Sequence, residues 1–173
     1  NGVELWVIDV ASAQAKKLTE ANLNANLGAP FSWFGDNETI LVKLLPSNRK
    51  PLLDSKKDLP AGPIISNASG AKSQNRTYPD MLKNKNDEIN FENIITSELY
   101  KITLSGNKTL FKSADMFAGQ SLSPDGNYIM ITTIQKPFSY IVPLNRFPMK
   151  SAVYDKSGRE VKIVNETPLT EIM

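Results

Sequence analysis

The stretch QSLSPDGNYIMITTI, residues 120–134, runs from a Ser-Pro-Asp-Gly turn straight into an apolar strand with no helical pattern between them. A β-branched run behind Asp125-Gly126 marks a hairpin, because glycine supplies the positive φ that such turns need. The arrangement recurs upstream. SWFGDNETILV (32–42) overlays SLSPDGNYIMI (121–131) at a separation of 89, each with an aspartate in the turn (Asp36, Asp125) and a short apolar strand behind it (40–42, 129–131). A second element recurs in the same order. LWVIDVASAQAKKLT (5–19), LYKITLSGNKTLFK (99–112) and AVYDKSGREVKIV (152–164) share an aromatic-containing strand, a small-residue turn and a Lys/Arg-bearing return strand. Asp9, Thr103 and Asp155 align, with spacings of 94 and 52.

Two different elements recurring in register describe a repeat array whose unit is a four-stranded sheet of about 40–50 residues. The remaining apolar runs alternate with period 2 and end at turn residues, as antiparallel strands do. The expected fold is all-β: a partial β-propeller of about three blades of four-stranded antiparallel sheet, with a long loop and short helix inserted. Such sheets hide their faces by stacking, and a closed ring takes about four to eight of them. Residues 1–173 are therefore expected to be part of one larger β-propeller domain, beginning in the last strands of one blade and stopping at a blade boundary near ETPLTEIM. A small independent β-sandwich fits less well, since it would not repeat two elements in phase. Trp6, Trp33, Phe34 and Tyr128 fall in strands or at strand edges and are expected to pack between blades.

The first unit is overlong by roughly one repeat. Residues 46–92 account for the excess, with Pro46, Pro51, Pro60, Pro63 and Pro79 amid Asn, Ser, Lys and Gly. The composition predicts an exposed loop over 46–76 and a short helix within 76–88, with Pro79 near its start, Asp80 in its first turn, and Met81 and Leu82 as its apolar contacts. The strand pattern is expected to resume at FENIITSELY (91–100).

Composition excludes several functions. Cysteine and histidine are both absent, so the chain has no thiolate metal site, no imidazole base and no complete Ser-His-Asp triad. A net charge of +2, spread along the chain, leaves no electrostatic footprint for nucleic acid. Apolar runs such as IMI and TILV are far shorter than the roughly 20 residues that span a bilayer. No signal peptide is visible at the start. Asp87 and Glu88 are adjacent rather than spaced as calcium ligands, and no glycine-rich phosphate loop occurs. No cofactor and no metal are expected.

The stretches PFSWFGDNETILVKLLP (30–46), RTYPDMLKNKNDEINFENIITSEL (76–99), SLSPDGNYIM (121–130) and PFSYIVPLNRFPMKSAVYDKSGREV (137–161) resemble the N-terminal propeller of the prolyl oligopeptidase family of serine peptidases. Within it they are most similar to the glutamyl endopeptidase branch, whose bacterial members are often labelled dipeptidyl peptidase IV-like. The resemblance implies that an α/β-hydrolase domain, absent from this chain, carries the nucleophile on a G-x-S-x-G elbow. It implies no catalytic residue here. This segment would cap the hydrolase domain, gate the entry of peptide substrates and contribute to specificity. Its partners would be the remaining blades and that hydrolase domain, with no nucleic acid and no membrane span. A periplasmic or secreted location is what the bacterial members suggest. The alternative is a TolB- or WD40-like propeller fragment acting as a protein-interaction module.

Three residues are candidates for substrate specificity. Arg146, in KPFSYIVPLNRFPMK, could pair with an acidic P1 side chain through bidentate hydrogen bonds. The alternative is a structural pairing with a carboxylate or carbonyl between blades. Tyr140 lies in the same aromatic and proline-rich segment, and Arg76 opens the helical part of the insertion. Ser121 and Ser123 read as turn formers rather than nucleophiles.

Overall fold

A computed structural model describes residues 2–54 and 78–171. Three antiparallel sheets of two, four and four strands lie in chain order, and none closes into a barrel. The first is the hairpin of β1 (Trp6–Asp9) and β2 (Gln14–Lys17). The second is the meander β3 (Phe31–Trp33), β4 (Thr39–Leu44), β5 (Ser97–Thr103) and β6 (Lys108–Asp115). The third repeats that meander as β7 (Phe117–Leu122), β8 (Tyr128–Ile134), β9 (Met149–Asp155) and β10 (Glu160–Thr167). This is the all-β partial propeller expected, with two complete four-stranded units and one hairpin of a third.

The repeat holds down to individual pairs. Trp33 lies opposite Ile40 in the second sheet, and Leu122 opposite Ile129 in the third, each 89 residues further on. The same offset relates the turns. Asp36 Oδ1 accepts from the backbone N–H of Glu38, and Asp125 Oδ1 from that of Asn127, both at 3.0 Å. Between them Asn37 and Gly126 take the same left-handed conformation, with φ of 56° and 66°. Thr103 and Asp155 also play one role, each donating its N–H at 3.0 Å to the carbonyl four residues on while its side-chain oxygen accepts back at 3.1 Å. Here the side-chain oxygens satisfy backbone donors that the sheet leaves unpaired.

Stacking explains why TILVKL reads as an unbroken apolar run rather than a clean alternation. Both faces of β4 are buried. Ile40, Val42 and Leu44 pack with Leu5, Leu23 and Ile102 toward the first hairpin. Leu41 faces the third sheet with Phe34, Leu99 and Phe111, meeting Phe117, Ile129, Ile131 and Tyr154. Lysines tie the rim of this second interface: Lys101 lies over the rings of Phe34 and Phe111 at 5.1 and 5.0 Å, and Lys112 over Tyr154 at 4.3 Å. The chain before β3 passes close to β7 at Gly28, whose φ is 60° and where a Cβ would stand 2.4 Å from the carbonyl oxygen of Ala118.

Two expectations need correction. The helix, α1, spans Lys85–Ile95 rather than lying within 76–88. Asp80 is left-handed (φ 59°), which breaks any helix started at Pro79, and Asn84 supplies the N-cap by accepting from the N–H of Asp87 at 2.9 Å. The tail Phe91–Ile95, expected in a strand, is helical because Phe91, Ile94 and Ile95 at helical spacing meet one apolar cluster. Of the four aromatic residues expected between blades, only Phe34 is buried. Trp6 is 52% exposed, Trp33 45% and Tyr128 44%. For Tyr128 alternation is the cause, since Tyr128 and Met130 occupy the face of β8 opposite the buried Ile129 and Ile131; Trp33 shares the face of its buried partner Ile40 yet stays half exposed.

Candidate functional site

Hairpin turns occupy one end of the sheets, and the long connections occupy the other. At that second end, α1 and the crossing between β8 and β9 pack together, although they lie about 50 residues apart in the chain. The crossing contains a cis Lys136–Pro137 peptide and a 3-10 turn, η1, at Leu144–Arg146. Phe91 of α1 meets Phe138 edge-on at 5.2 Å and Phe147 at 5.9 Å, while Phe138 and Phe147 stack at 5.4 Å. Edge-to-face and offset-stacked geometry adds to the area the rings bury. Ile134, Val142 and Met116 complete this cluster beneath the helix.

Two polar contacts flank the aromatic one. Tyr140 Oη donates to Glu88 Oε2 at 2.8 Å, and Lys136 Nζ pairs with Glu92 Oε2 at 2.7 Å. Burial works to raise the Glu88 carboxyl, but hydrogen bonds from Lys85 and Tyr140 and the charges of Lys85 and Lys136 leave it below its ordinary range. Tyr140 moves the opposite way, raised first by its bond to Glu88 and then by burial. The Tyr140 hydroxyl is thus committed to holding α1.

Arg146 ends η1 and is half-buried, and no carboxylate lies within ion-pair distance of it among the described residues. Its carbonyl accepts from the N–H of Thr170 at 3.1 Å. An apolar groove of about 450 Å³ runs beside η1, lined by Leu27, Ala118, Ile134, Pro143, Leu144 and Met149 among others. Arg76 lies outside the described residues.

Two buried polar residues at this end were not singled out in the sequence. Asn24, 2% exposed, donates through Nδ2 to the carbonyls of Ile94 (3.0 Å) and Thr96 (3.1 Å) and to Ser97 Oγ (2.9 Å), so a loop far away in sequence caps the C-terminus of α1. Its Oδ1 accepts from Asn26 N and Nδ2, at 3.1 and 2.8 Å. Lys43, 1% exposed, sits on the face of β4 toward the third sheet and donates to the carbonyl of Leu27. Burial pushes its amine down to about 8. Its sequence signal was a lysine in phase with Leu41 inside an otherwise apolar strand. Asn24 stands in the polar run ANLNANLG and carried none.

Among the described residues no group of three or more acidic side chains is placed to hold a metal ion, and no helix is long and apolar enough to cross a membrane. The arrangement brings to one end of the sheets an apolar groove, a half-buried arginine and a helix clamped to the 136–147 crossing.

No family model matches the sequence. The chain is 34% identical over 173 residues to a protein of Oryza sativa subsp. japonica named probable glutamyl endopeptidase, chloroplastic, an alignment covering 98% of this chain and 18% of that protein. It is 33% identical over 176 residues to a protein of the same name from Arabidopsis thaliana, covering 96% and 18%. Both names place those relatives in the chloroplast and give no support to the periplasmic or secreted location expected above. Along nearly its whole length, then, the chain is related to a segment of proteins named as peptidases, and it spans 18% of their length.

Proposed function

We propose that this chain is a non-catalytic propeller segment of a serine peptidase of the prolyl oligopeptidase family, in its glutamyl endopeptidase branch, and that it caps a hydrolase domain and screens peptides. The observation that carries the proposal is the docking of α1 against the 136–147 crossing. The two stretches with the most specific resemblance, 76–99 and 137–161, meet through Phe91, Phe138 and Phe147 and through the Glu88–Tyr140 and Glu92–Lys136 bonds. On this reading residues 1–173 are part of one propeller domain with an insertion of about 46–92, and α1 is fastened at one end of the sheets through Glu88, Phe91 and Glu92.

Arg146, which follows the groove-lining Leu144 and Asn145 in η1, is the residue proposed to receive an acidic P1 side chain. Tyr140 acts through Glu88, by positioning α1. Substituting Arg146→Met in the complete peptidase is expected to lower kcat/KM on Glu-P1 peptides by about 100-fold and on Ala-P1 peptides by less than about threefold, since a buried charge-assisted contact is lost only with the acidic substrate. Equal losses on both substrates would overturn the assignment.

A further inference from the structure

We propose that the cleft between the chain leaving β4 and helix α1 is a second anion site, which binds the carboxylate of a glutamate residue in a peptide, with Arg49 as its main partner. The cleft holds about 360 Å³, and Pro46, Asn48, Arg49, Lys50, Ile89 and Glu92 are among its lining residues.

Three contacts build it. The N–H of Arg49 donates to the carbonyl of Pro46 at 3.1 Å, closing a turn just beyond β4. Further along, Asn90 clips the same chain to the helix: its Oδ1 accepts from Leu53 N at 2.7 Å and its Nδ2 donates to Leu53 O at 2.9 Å. Between these points Arg49 Nε donates to the carbonyl of Asn93 at 3.0 Å. That bond holds one edge of the guanidinium, and its two Nη groups have no protein partner among the described residues.

Charge and shape select the ligand. Glu92, the carboxylate on the cleft wall, is committed to Lys136 at 2.7 Å, so it does not neutralise Arg49 or Lys50. A guanidinium anchored through Nε presents its Nη pair as two parallel donors, the geometry that a carboxylate accepts. Ile89, 37% exposed, supplies an apolar wall against which the methylenes of a glutamate side chain can lie. Nothing in this cleft depends on hydrolysis or on Arg146, so a failure of the proposed peptidase function and a failure here are separately visible.

The test is a titration of the full-length protein, carrying a ¹³C-methyl label on isoleucine, with N-acetyl-glutamate-N-methylamide, N-acetyl-glutamine-N-methylamide and inorganic phosphate in turn. The Ile89 methyl signal is expected to shift saturably with the glutamate probe, and the glutamine probe is expected to bind at least about tenfold more weakly because it lacks the charge-assisted pair. Arg49→Gln should abolish the shift, and Arg146→Met should leave it intact. Arg49→Lys, which keeps the charge and loses the fork, should weaken binding by about threefold or more and decides the matter if Arg49→Gln does not fold. Equal binding of the two amides, phosphate binding as tightly as the glutamate probe, full binding by Arg49→Lys, or no shift at all would each overturn the assignment.

Discussion

Asn24→Ala is expected to destabilise the folded protein by about 3 kcal/mol, the largest loss from any single polar residue described above. The side chain is 2% exposed and bonds to the carbonyls of Ile94 and Thr96, to Ser97 Oγ and to Asn26. Alanine removes both its donors and its acceptor. The half-buried Thr96 carbonyl and the buried Ser97 Oγ then lose their donor, at about 1–3 kcal/mol each, while the exposed Asn26 turns to water and its Nδ2 still reaches the Ile94 carbonyl at 3.2 Å. Because the lost bonds run from a loop to the end of α1, the damage should be directional. Amide exchange should accelerate along α1 before it does in β8 and β9. A fall in stability below about 1 kcal/mol, or uniform loss of protection across all three sheets, would show that Asn24 does not anchor the helix.

Lys43→Met is expected to act in the opposite sense and stabilise the protein at neutral pH by about 1–2 kcal/mol, the cost of the buried ammonium less that of leaving the Leu27 carbonyl without its donor. The lysine is 1% exposed, has the Leu27 carbonyl as its acceptor and has no carboxylate beside it among the described residues. Its amine titrates near 8 when folded, against an ordinary 10.5. Below pH 8 both folded and unfolded chains carry the proton, and the folded state bears the full cost of the buried charge. Between about 8 and 10.5 the folded state releases the proton first, so wild-type stability should climb through that window. Lys101, also lowered mainly by burial, adds in the same direction, whereas Lys17 and Lys150 are raised by their carboxylate partners and oppose it. The difference between wild type and Lys43→Met isolates the one lysine. It should shrink as pH rises from 8 to 10.5; a constant or growing difference in urea denaturation would refute the account.

These two residues also show where sequence and structure part. The turns were legible because their chemistry is local: an aspartate or threonine oxygen reaches backbone two to four residues away, so Asp36, Asp125, Thr103 and Asp155 announce themselves by spacing. Strand register followed, since a period of two leaves one phase that buries Ile129 and Ile131. The partners of the Asn24 Nδ2 group are 70–73 residues away, and nothing in its neighbourhood encodes them. Helix α1 was misplaced for a related reason. Its start is set by a local cap, but its apolar side is defined by Phe138 and Phe147, which lie in a different part of the chain. Arg49 carries no local signal because its surroundings are assembled from the chain leaving β4, from α1 and from the end of β6.

One measurement bears on the whole functional account: labelling the full-length protein with a fluorophosphonate, the class of reagent that captures an activated serine, and mapping the modified residue. The expected result is a single labelled serine outside residues 1–173, on a G-x-S-x-G elbow, with labelling blocked by a peptide substrate. A labelled serine within this chain, or a full-length protein with no reactive serine, would contradict the assignment of these three sheets to the non-catalytic cap of a serine peptidase.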